Sequence, residues 1–257
     1  IERYYNFGGE GMLAARAVGA LAVLEVNAPV IDYPGSAKLW LDRALIVAPM
    51  RRWREWQCAA ADLIVTPYAG ILPKRVAAER ILELEWGAET SRFQPDAPGR
   101  APFIRRADEL VVVFAGAFRA WHGAIHLVEA VRHLRNRGRS NVRAVLIGDG
   151  PELVRVRDAA RDLDGVTFTG AVPSASMPAA LAAADVGAAP FDVGAHPPLA
   201  LGFYWSPLKV FEYMATALPV VTPDIDRLRT IVRPGREGVL YDPSDPDGLA
   251  DAIDALR

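Results

Sequence analysis

The chain has 257 residues, of which 51% are hydrophobic, and its formal net charge is −2 at pH 7. This length and composition can bury a full core in one or two domains, and the nearly balanced charge argues against a nucleic-acid partner. A single cysteine, Cys58, excludes a disulfide or a cysteine metal cluster within the chain.

The apolar runs of the sequence bear on the cellular location of the protein, and the ends of the chain bear on whether it is a fragment. No apolar run reaches the roughly 20 residues that span a bilayer, and no secretory signal is visible. Together with the lone cysteine, this predicts a cytoplasmic protein. The chain opens at Ile1 and closes at Arg257 within a helical pattern, so we expect a piece of a longer protein, truncated at both ends.

The first hundred residues predict an incomplete α/β domain. Residues 20–27 and 62–66 have the apolar, β-branched character of strands, and residues 38–60 form a long helical pattern rich in Trp and Arg. Proline and glycine residues near position 100 indicate a linker. We therefore predict a partial α/β domain with its linker over 1–105 and a second domain over 106–257.

From residue 109 onward, short apolar strands alternate with amphipathic helices. Such alternation indicates right-handed βαβ units and a parallel, doubly wound sheet. The strand at 110–115 is wholly apolar, as expected of a strand that is covered on both faces. The other predicted strands are 142–147, 166–169, 186–190, 219–222 and 238–241, and the predicted helices are 124–137, 152–162, 177–184, 208–215 and one beginning at Asp245.

The turn after the first of these strands, residues 116–123, is expected to bind an anion. In an open parallel sheet, ligands bind beyond the carboxyl ends of the strands, where the amides and dipole of the following helix favour negative charge. Arg119 and His122 would add charge or hydrogen-bond donors there. The alternative is an ordinary turn that Trp121 covers by packing. The next turn, 148–151, lacks the third glycine of a dinucleotide fingerprint and is more simply structural.

A second expected anion site lies at the start of the helix 208–215. Ser206 is placed to cap this helix, and Pro207 suits its first position. Lys209 lies in the first turn, where a cation is unfavourable unless an anion faces it, and Glu212 shares its face. A phosphate and a ribose diol would match these two side chains, and the alternative is a surface ion pair between them.

In their order and spacing, these segments resemble the bacterial family 4 retaining glycosyltransferases of GT-B fold. The resemblance implies two Rossmann-like domains. The first, over 1–105, is an incomplete acceptor-side domain, and the second, over 106–257, is a doubly wound parallel sheet that binds the nucleotide sugar. The segments that carry it are LEVNAP at 24–29, ADLIVT at 61–66, WGAE at 86–89, FQP at 93–95, residues 114–123, 148–152, 168–170 and 184–186, and the nucleotide-sugar signature at 206–221.

The resemblance also implies a set of donor-site residues. Glu212 matches the glutamate that holds the donor ribose, whereas the family's first glutamate is replaced by Tyr204, so Lys209 is expected to compensate near the diphosphate or sugar. The family's phosphate-binding arginine falls on Ala117, which leaves Arg119 as its substitute. Arg119, Lys209 and Glu212 are therefore assigned to catalysis. The further donor-binding residues are Gly116, His122, Gly123, Gly148, Gly170, Val172, Ser206 and Leu208.

The implied reaction moves a sugar from a nucleoside-diphosphate sugar to an acceptor with retention of anomeric configuration. The departing diphosphate needs charge stabilisation, which Arg119, Lys209 and the helix amides would supply. No metal and no other cofactor is expected, because Asp224 and Asp226, which have the Asp-x-Asp spacing, are more simply loop solvation. The acceptor stays open between a glycan, a lipid-linked molecule and a small molecule.

Other functions compatible with the same residues are an epimerase of the same fold and a non-catalytic nucleotide-sugar-binding fragment, which Tyr204 permits. A dehydrogenase is disfavoured, since no turn carries the three-glycine fingerprint followed by an acid. The helical stretch 38–60 has two interpretations. Its Arg and Trp residues would suit peripheral contact with the inner membrane face or with an acidic acceptor, or the helix is solvated with a Trp-packed face, which we favour.

Overall fold

The computed structural model describes residues 1–37 and 48–257, and the described chain divides by its contacts into two compact units. Unit 1 is defined as residues 1–86 and 197–206, and unit 2 as residues 87–196 and 207–257.

This division differs from the single boundary after residue 105 that the sequence predicted. The segment 87–105 groups with unit 2 because its side chains bond there. Arg92 donates to the Ser174 carbonyl oxygen at 3.0 Å, and Arg105 pairs with Asp185 at 2.7 Å. Arg105 lies in the linker that the sequence predicted near residue 100, so that interpretation overlooked its pairing with Asp185.

Unit 1 is built on a four-stranded parallel sheet in the order β1-β2-β3-β4. Fully buried Leu24, Ile64 and Ile71 contribute to its core. Both strands predicted here are found, the first much shorter than the predicted range 20–27, and two further short strands were missed. The elements are β1 (Glu2–Arg3), α1 (Glu10–Val18), β2 (Val23–Glu25), α2 (Ala48–Ala60), β3 (Leu63–Thr66) and β4 (Ile81–Glu83).

Helix α2 carries Arg51, Arg52, Trp53, Arg54 and Trp56 of the predicted helical stretch, whose part 38–47 lies outside the described residues. Trp53 stacks on Trp56 at 4.5 Å and donates from its indole to the Gly8 carbonyl oxygen. Arg54 is 1% exposed and pairs with Asp32 at 3.3 Å. These contacts favour the Trp-packed interpretation, and the idea that Arg54 contacts a lipid surface is wrong because its side chain is buried. Among the described helices, none has the length and apolar character to cross a membrane.

Unit 2 is built on a six-stranded, all-parallel sheet in the order β10-β9-β8-β5-β6-β7. Every strand and helix predicted in this half is present, and the first or last residue of most of them differs from the prediction by a few positions. Its elements are β5 (Leu110–Ala115), α3 (Ala124–Asn136), β6 (Val142–Ile147), α4 (Leu153–Ala159), β7 (Val166–Gly170), α5 (Met177–Ala182), β8 (Val186–Ala188), α6 (Leu208–Ala215), β9 (Val220–Pro223), α7 (Leu228–Ile231), β10 (Gly238–Tyr241) and α8 (Gly248–Asp254).

The strand order of unit 2 fixes where a ligand can enter. From β5 the chain builds outward through β6 and β7, then returns to the other side of β5 and builds outward through β8, β9 and β10. Strand β5 is therefore central, and Val111–Phe114 within it are fully buried. The crevice at such a reversal, beyond the carboxyl ends of β5 and β8, is the usual ligand site of a doubly wound sheet. The turn 116–123 lies there.

Candidate active site

The turns after β5 and β6 form one bonded structure. The Gly116 amide donates to the Ile147 carbonyl oxygen at 3.0 Å, and the Phe118 amide donates to the Asp149 carbonyl oxygen at 2.9 Å. The turn after β7 joins them, because the Gly148 amide donates to the Gly170 carbonyl oxygen at 2.9 Å. Three of the predicted donor-binding glycines thus lie on connected backbone at the carboxyl edge of the sheet.

Two of the predicted glycines are required by backbone approach. A Cβ on Gly148, whose φ is +132°, would lie 1.9 Å from the Gly116 carbonyl oxygen. A Cβ on Gly123, whose φ is +68°, would lie 1.7 Å from the Pro190 carbonyl oxygen. No side chain fits at either distance or favours either conformation. These glycines hold three turns close together at the edge, whatever binds there.

Lys209 lies in the first turn of α6 and is 9% exposed. Within the described part of the chain, its ammonium nitrogen makes no hydrogen bond. It lies 4.1 Å from the ring centre of Phe114 and 5.2 Å from that of Phe191. A Cβ on Gly116 would be only 3.1 Å from the same nitrogen, so the glycine leaves room for it. Burial lowers the pKa of Lys209 to about 7, and the Glu212 carboxylate opposes that shift.

Glu212 follows one helical turn after Lys209 and is partly exposed. Burial raises the pKa of its carboxyl group, against the effect of Lys209 and Arg92. The alternative of a surface ion pair between Lys209 and Glu212 is wrong, because the lysine is buried and its ammonium nitrogen has no hydrogen-bond partner among the described residues.

The predicted histidine and arginine of the first turn differ in environment. His122 is partly buried, and its Nδ1 bonds to the Ala117 carbonyl oxygen, so this nitrogen carries the hydrogen. Burial first, then the charges of Lys209 and Arg119, lower the pKa of His122 to about 4. This burial favours a neutral ring in the empty site, and whether His122 brings charge or a hydrogen-bond donor to a diphosphate stays a prediction. Arg119 is exposed, with its guanidinium 5.2 Å from the Trp121 ring centre.

Ser206 and Tyr204 belong to unit 1 by their contacts. The Ser206 hydroxyl accepts a hydrogen bond from the Trp86 amide at 2.8 Å. The N-cap of α6 is Pro207 and has no side-chain cap, so the prediction that Ser206 caps this helix is wrong. Tyr204 is 3% exposed, and burial with the nearby Tyr33 raises its pKa to about 12, so it is a core residue of unit 1.

The remaining predicted residues lie at the edges of these elements. Leu208, the first residue of α6, is 47% exposed, and Val172 lies partly exposed in the loop after β7. Asp224 pairs with Arg229 at 2.7 Å in an exposed loop. Among the described residues, no group of three or more His, Cys, Asp or Glu side chains is arranged to hold a metal ion.

The sequence did not reveal two residues that shape the surroundings of Lys209. Tyr213 is fully buried, and its hydroxyl accepts the Ala115 amide at 2.8 Å and donates to the Ala188 carbonyl oxygen at 3.4 Å, bridging the ends of β5 and β8. A tyrosine on the apolar face of α6 was the available signal. Phe191 lies three residues after β8, and the available signal was an aromatic residue next to the predicted strand end at Pro190.

A separate cavity of about 610 Å³ lies elsewhere in unit 2. It is lined by one face of α3, with His126, Glu129 and His133, and by the loops after β8 and β10. His126 lies between two carboxylates, 3.3 Å from Glu129 and 3.4 Å from Asp192. None of the residues predicted from the sequence lines this cavity.

The second half of the chain matches a known protein family. Residues 109–257, more than half of the chain, match the model of the family described as glycosyl transferases group 1. The matched segment begins just before β5 and includes α6, so it contains the Gly116 turn, Lys209 and Glu212.

Several curated proteins are similar to the chain. A GDP-mannose-dependent alpha-(1-6)-phosphatidylinositol monomannoside mannosyltransferase of Mycobacterium tuberculosis is 32% identical over 178 residues, 66% of this chain and 45% of the relative. A GDP-mannose-dependent alpha-mannosyltransferase of Mycolicibacterium smegmatis is 26% identical over 255 residues, 96% and 60% respectively. A 2-deoxystreptamine glucosyltransferase of Streptomyces kanamyceticus is 26% identical over 188 residues, 68% and 48% respectively. The chain therefore spans about half the length of these relatives.

Solved structures share the fold. HepE of Anabaena, in complex with UDP and glucose, superposes with a TM-score of 0.67 at 16% identity, covering 95% of this chain and 64% of HepE. Sucrose-phosphate synthase of Thermosynechococcus elongatus gives 0.61 at 20% identity, covering 95% of this chain and 66% of the synthase. At these identities the similarity shows the fold alone, and it confirms the predicted α/β fold of GT-B type.

Proposed function

The chain belongs to the group 1 glycosyl transferases, and we propose that it moves a sugar from a nucleoside-diphosphate sugar to an acceptor with retention of anomeric configuration. The bond between the anomeric carbon and the diphosphate oxygen breaks. The acceptor hydroxyl forms the new bond on the same face of the sugar, and its proton leaves with the diphosphate. The observation that carries the proposal is the buried Lys209 ammonium, which has no hydrogen bond in the described chain.

A buried ammonium group in this position needs an anion to balance its charge. Taking an ammonium out of water costs several kcal/mol unless it is paired, and Lys209 has two aromatic rings and the charge of Glu212 as compensation. A diphosphate beside Gly116 would supply the missing charge. As the sugar departs, negative charge grows on that diphosphate, and a fixed cation in a water-poor site stabilises it more than it stabilises the ground state.

Glu212 and the other predicted groups take supporting roles in this proposal. The Glu212 carboxylate would accept hydrogen bonds from the donor ribose, and the exposed Arg119 would close over the diphosphate from solvent. Backbone near Gly170 and Val172 would meet the base. Since cations and amides supply the charge stabilisation, we propose that the transfer needs no metal ion, and turnover in excess chelator tests this.

The relatives give the donor and acceptor classes to test first. Two are named as GDP-mannose-dependent mannosyltransferases, and HepE was solved with UDP and glucose. The named acceptors are a phosphatidylinositol monomannoside in one case and 2-deoxystreptamine in another. We propose a nucleotide-sugar donor with mannose or glucose, and a glycan, lipid-linked or small-molecule acceptor.

Donor binding is the direct test. In a thermal-shift screen of GDP-mannose, GDP-glucose and UDP-glucose, the donor that binds should raise the melting temperature of the protein. A ligand that binds only the native state raises the free energy of unfolding. Lys209→Ala should then weaken binding of the selected donor by about 2–4 kcal/mol, the cost of removing one partner of a buried charge pair.

Lys74→Ala is the matched control, because Lys74 is an exposed lysine of unit 1. It should leave donor affinity unchanged. Equal affinity of Lys209→Ala and the unchanged protein for the donor would remove the physical basis of the proposal. Isomerisation of the donor without an acceptor would instead make the protein an epimerase.

A further inference from the structure

Unit 2 contains a cavity of about 610 Å³ that the proposed donor site does not use. We call it the acidic cavity and define it by its walls: His126, Glu129 and His133 of α3, residues 191–193 after β8, and residues 243–246 after β10, with Tyr241 and Leu249. Its volume lies within the roughly 300–1,000 Å³ of small-molecule sites. Neither Lys209 nor Glu212 lines it.

The charged side chains of the acidic cavity are mostly carboxylates. The described residues that line it include Glu129, Asp192 and Asp245, the imidazoles of His126 and His133, and no lysine or arginine. The carboxylates therefore outnumber the cations even when both imidazoles are protonated. An anion would be repelled here, which separates this cavity in its chemistry from the proposed diphosphate site beside Lys209.

Two of these carboxylates have no arginine partner of the kind found elsewhere in unit 2, where Asp162 pairs with Arg132 at 2.9 Å. Within the described part of the chain, Glu129 and Asp192 form ion pairs with His126 alone, at 3.3 Å and 3.4 Å. Their charges are thus balanced only by solvent and by one shared imidazole.

His126 indicates what these two carboxylates favour. Its Nδ1 faces Glu129 and its Nε2 faces Asp192. A carboxylate only accepts hydrogen bonds, and a neutral imidazole donates from one nitrogen, so the ring can donate to both carboxylates only when it is charged. Asp192 accepts one further bond, from the Ala195 amide at 3.1 Å. Each carboxylate has about four lone-pair positions, so several remain for the N–H groups of a cation that enters the cavity.

The rest of the lining is largely apolar. Phe191 is 7% exposed, Leu249 is 4% exposed, and Tyr241 is partly buried. Burial first and then the charge of Asp192 raise the pKa of Tyr241 above its ordinary value, so this carboxylate and the tyrosine lie near each other. The face of an aromatic ring attracts an ammonium group, and apolar walls cover methylene groups.

We propose that the acidic cavity binds an organic cation with two or more amino groups, a diamine or polyamine, through the carboxylates of Glu129 and Asp192 and the ring of Tyr241. The ammonium groups would bind the carboxylates, and the methylene chain between them would lie against the apolar walls. A metal ion is disfavoured, because no group of three or more His, Cys, Asp or Glu side chains in the described chain is arranged to hold one. Neither a nucleotide nor a sugar transfer is involved, so this binding goes beyond the proposed function and does not rest on it.

Isothermal titration at low ionic strength, without nucleotide, tests this binding. The probes are spermidine and putrescine, with 1,4-butanediol as the uncharged analogue of putrescine. We expect spermidine to bind more tightly than putrescine, and putrescine at least about tenfold more tightly than 1,4-butanediol. Added salt should weaken binding of both amines, because it screens partly exposed charges.

Variants of the cavity identify the side chains that bind. Glu129→Gln and Asp192→Asn should each weaken spermidine binding about threefold to tenfold, a modest loss because both carboxylates are partly exposed. Asp164→Asn is the matched control, since Asp164 is an exposed carboxylate of unit 2 that does not line the cavity. It should leave spermidine binding unchanged.

Four results would overturn the inference: binding of neither amine, equal binding of putrescine and 1,4-butanediol, tighter binding of Mg²⁺ than of both amines, or equal loss of binding in Asp164→Asn and the two cavity variants. The last result would assign the binding to general surface charge. Circular dichroism of each variant separates lost binding from lost folding. Glu129→Gln keeps the test decisive if Asp192→Asn does not fold, because Glu129 is exposed on α3 whereas Asp192 holds the loop after β8 through Ala195.

Discussion

Binding of a nucleotide sugar should be accompanied by proton uptake at Lys209. Burial lowers the pKa of this amine from its ordinary value of 10.5 to about 7. The groups around it are Glu212 on the same helix, His122 in the turn after β5, and the rings of Phe114 and Phe191. Of these only Glu212 favours the charged amine by its own charge, and the empty site is therefore partly deprotonated at neutral pH.

A diphosphate beside the amine would favour the charged form and raise its pKa towards the ordinary value. The number of protons taken up per donor bound equals the fraction of Lys209 that is deprotonated in the empty site. That fraction is about one half at pH 7 and about nine tenths at pH 8. Below about pH 6 the amine is already charged, so uptake falls towards zero. Above pH 7, each further pH unit should weaken donor binding about tenfold, or about 1.4 kcal/mol, because the competent protonated form becomes rarer.

Isothermal titration in pairs of buffers with different ionisation enthalpies measures this uptake directly. GDP-mannose is a suitable ligand, because both phosphates of its diphosphate are esterified and stay ionised throughout the range, whereas a free diphosphate would titrate itself. Lys209→Met keeps the unbranched apolar part of the side chain and removes the proton site, so its binding should be weak and independent of pH. Lys74→Met should behave as the unchanged protein does.

Two results would refute the reasoning. No proton uptake at pH 8 in the unchanged protein would mean that Lys209 stays charged in the empty site or is not reached by the diphosphate. Equal uptake in Lys209→Met would assign the proton to another group.

Further predictions concern the same edge of the sheet. The pKa of Lys209 is lower in the folded protein than in the unfolded chain, so the lysine destabilises the fold fully below about pH 7 and no longer does so as the pH rises towards 10. In urea titrations, Lys209→Met should therefore raise the free energy of unfolding by up to about 4 kcal/mol at pH 7 and by little near pH 10. Gly148→Ala should cost about 3 kcal/mol or more by the same measurement, against about 1–2 kcal/mol for Gly138→Ala, whose added Cβ meets nothing within 4 Å. Tyr213→Phe should cost about 1–3 kcal/mol, since it leaves the amide at the end of β5 without its buried partner, and an unchanged midpoint would contradict that bond. Glu212→Gln should weaken nucleotide-sugar binding about tenfold while pyrophosphate binding stays constant, and equal loss for both ligands would rule out a ribose contact.

The fold of unit 2 could be predicted because its strands and helices carry clear patterns. The bounds of β5, β6, α6 and β10 agree with the prediction, since each is an apolar run or an amphipathic stretch between turn residues. Unit 1 was harder for a physical reason. Strands β1 and β4 are two and three residues long and contain Glu2 and Glu83, so no alternation marks them, and only pairing with neighbours in the sheet makes them strands.

Single residues could be predicted only where the sequence alone determines their surroundings. Lys209 was expected to face an anion because a cation at a helix start is unfavourable, and the structure gives it a buried place beside Gly116. The capping role of Ser206 failed because its hydroxyl has a partner 120 positions away in the chain, Trp86. The low pKa of His122 depends on burial and on the charge of Lys209, which only the fold brings next to the ring. Whether these residues bind a donor stays a prediction.

The choice of lysine over arginine at position 209 follows from the same physics. The chain uses arginine for nearly all its cations, with lysine only at Lys38, Lys74 and Lys209. An arginine cannot lose its proton in a protein, so in the empty site it would carry the whole desolvation cost of a buried charge, several kcal/mol. A lysine can lose its proton and fold as a neutral amine, then regain the proton when a diphosphate arrives. Lysine at position 209 therefore lowers the cost of folding the empty site and also makes donor binding depend on pH. Lys209→Arg should remove both properties together, giving a less stable protein whose donor binding no longer changes with pH.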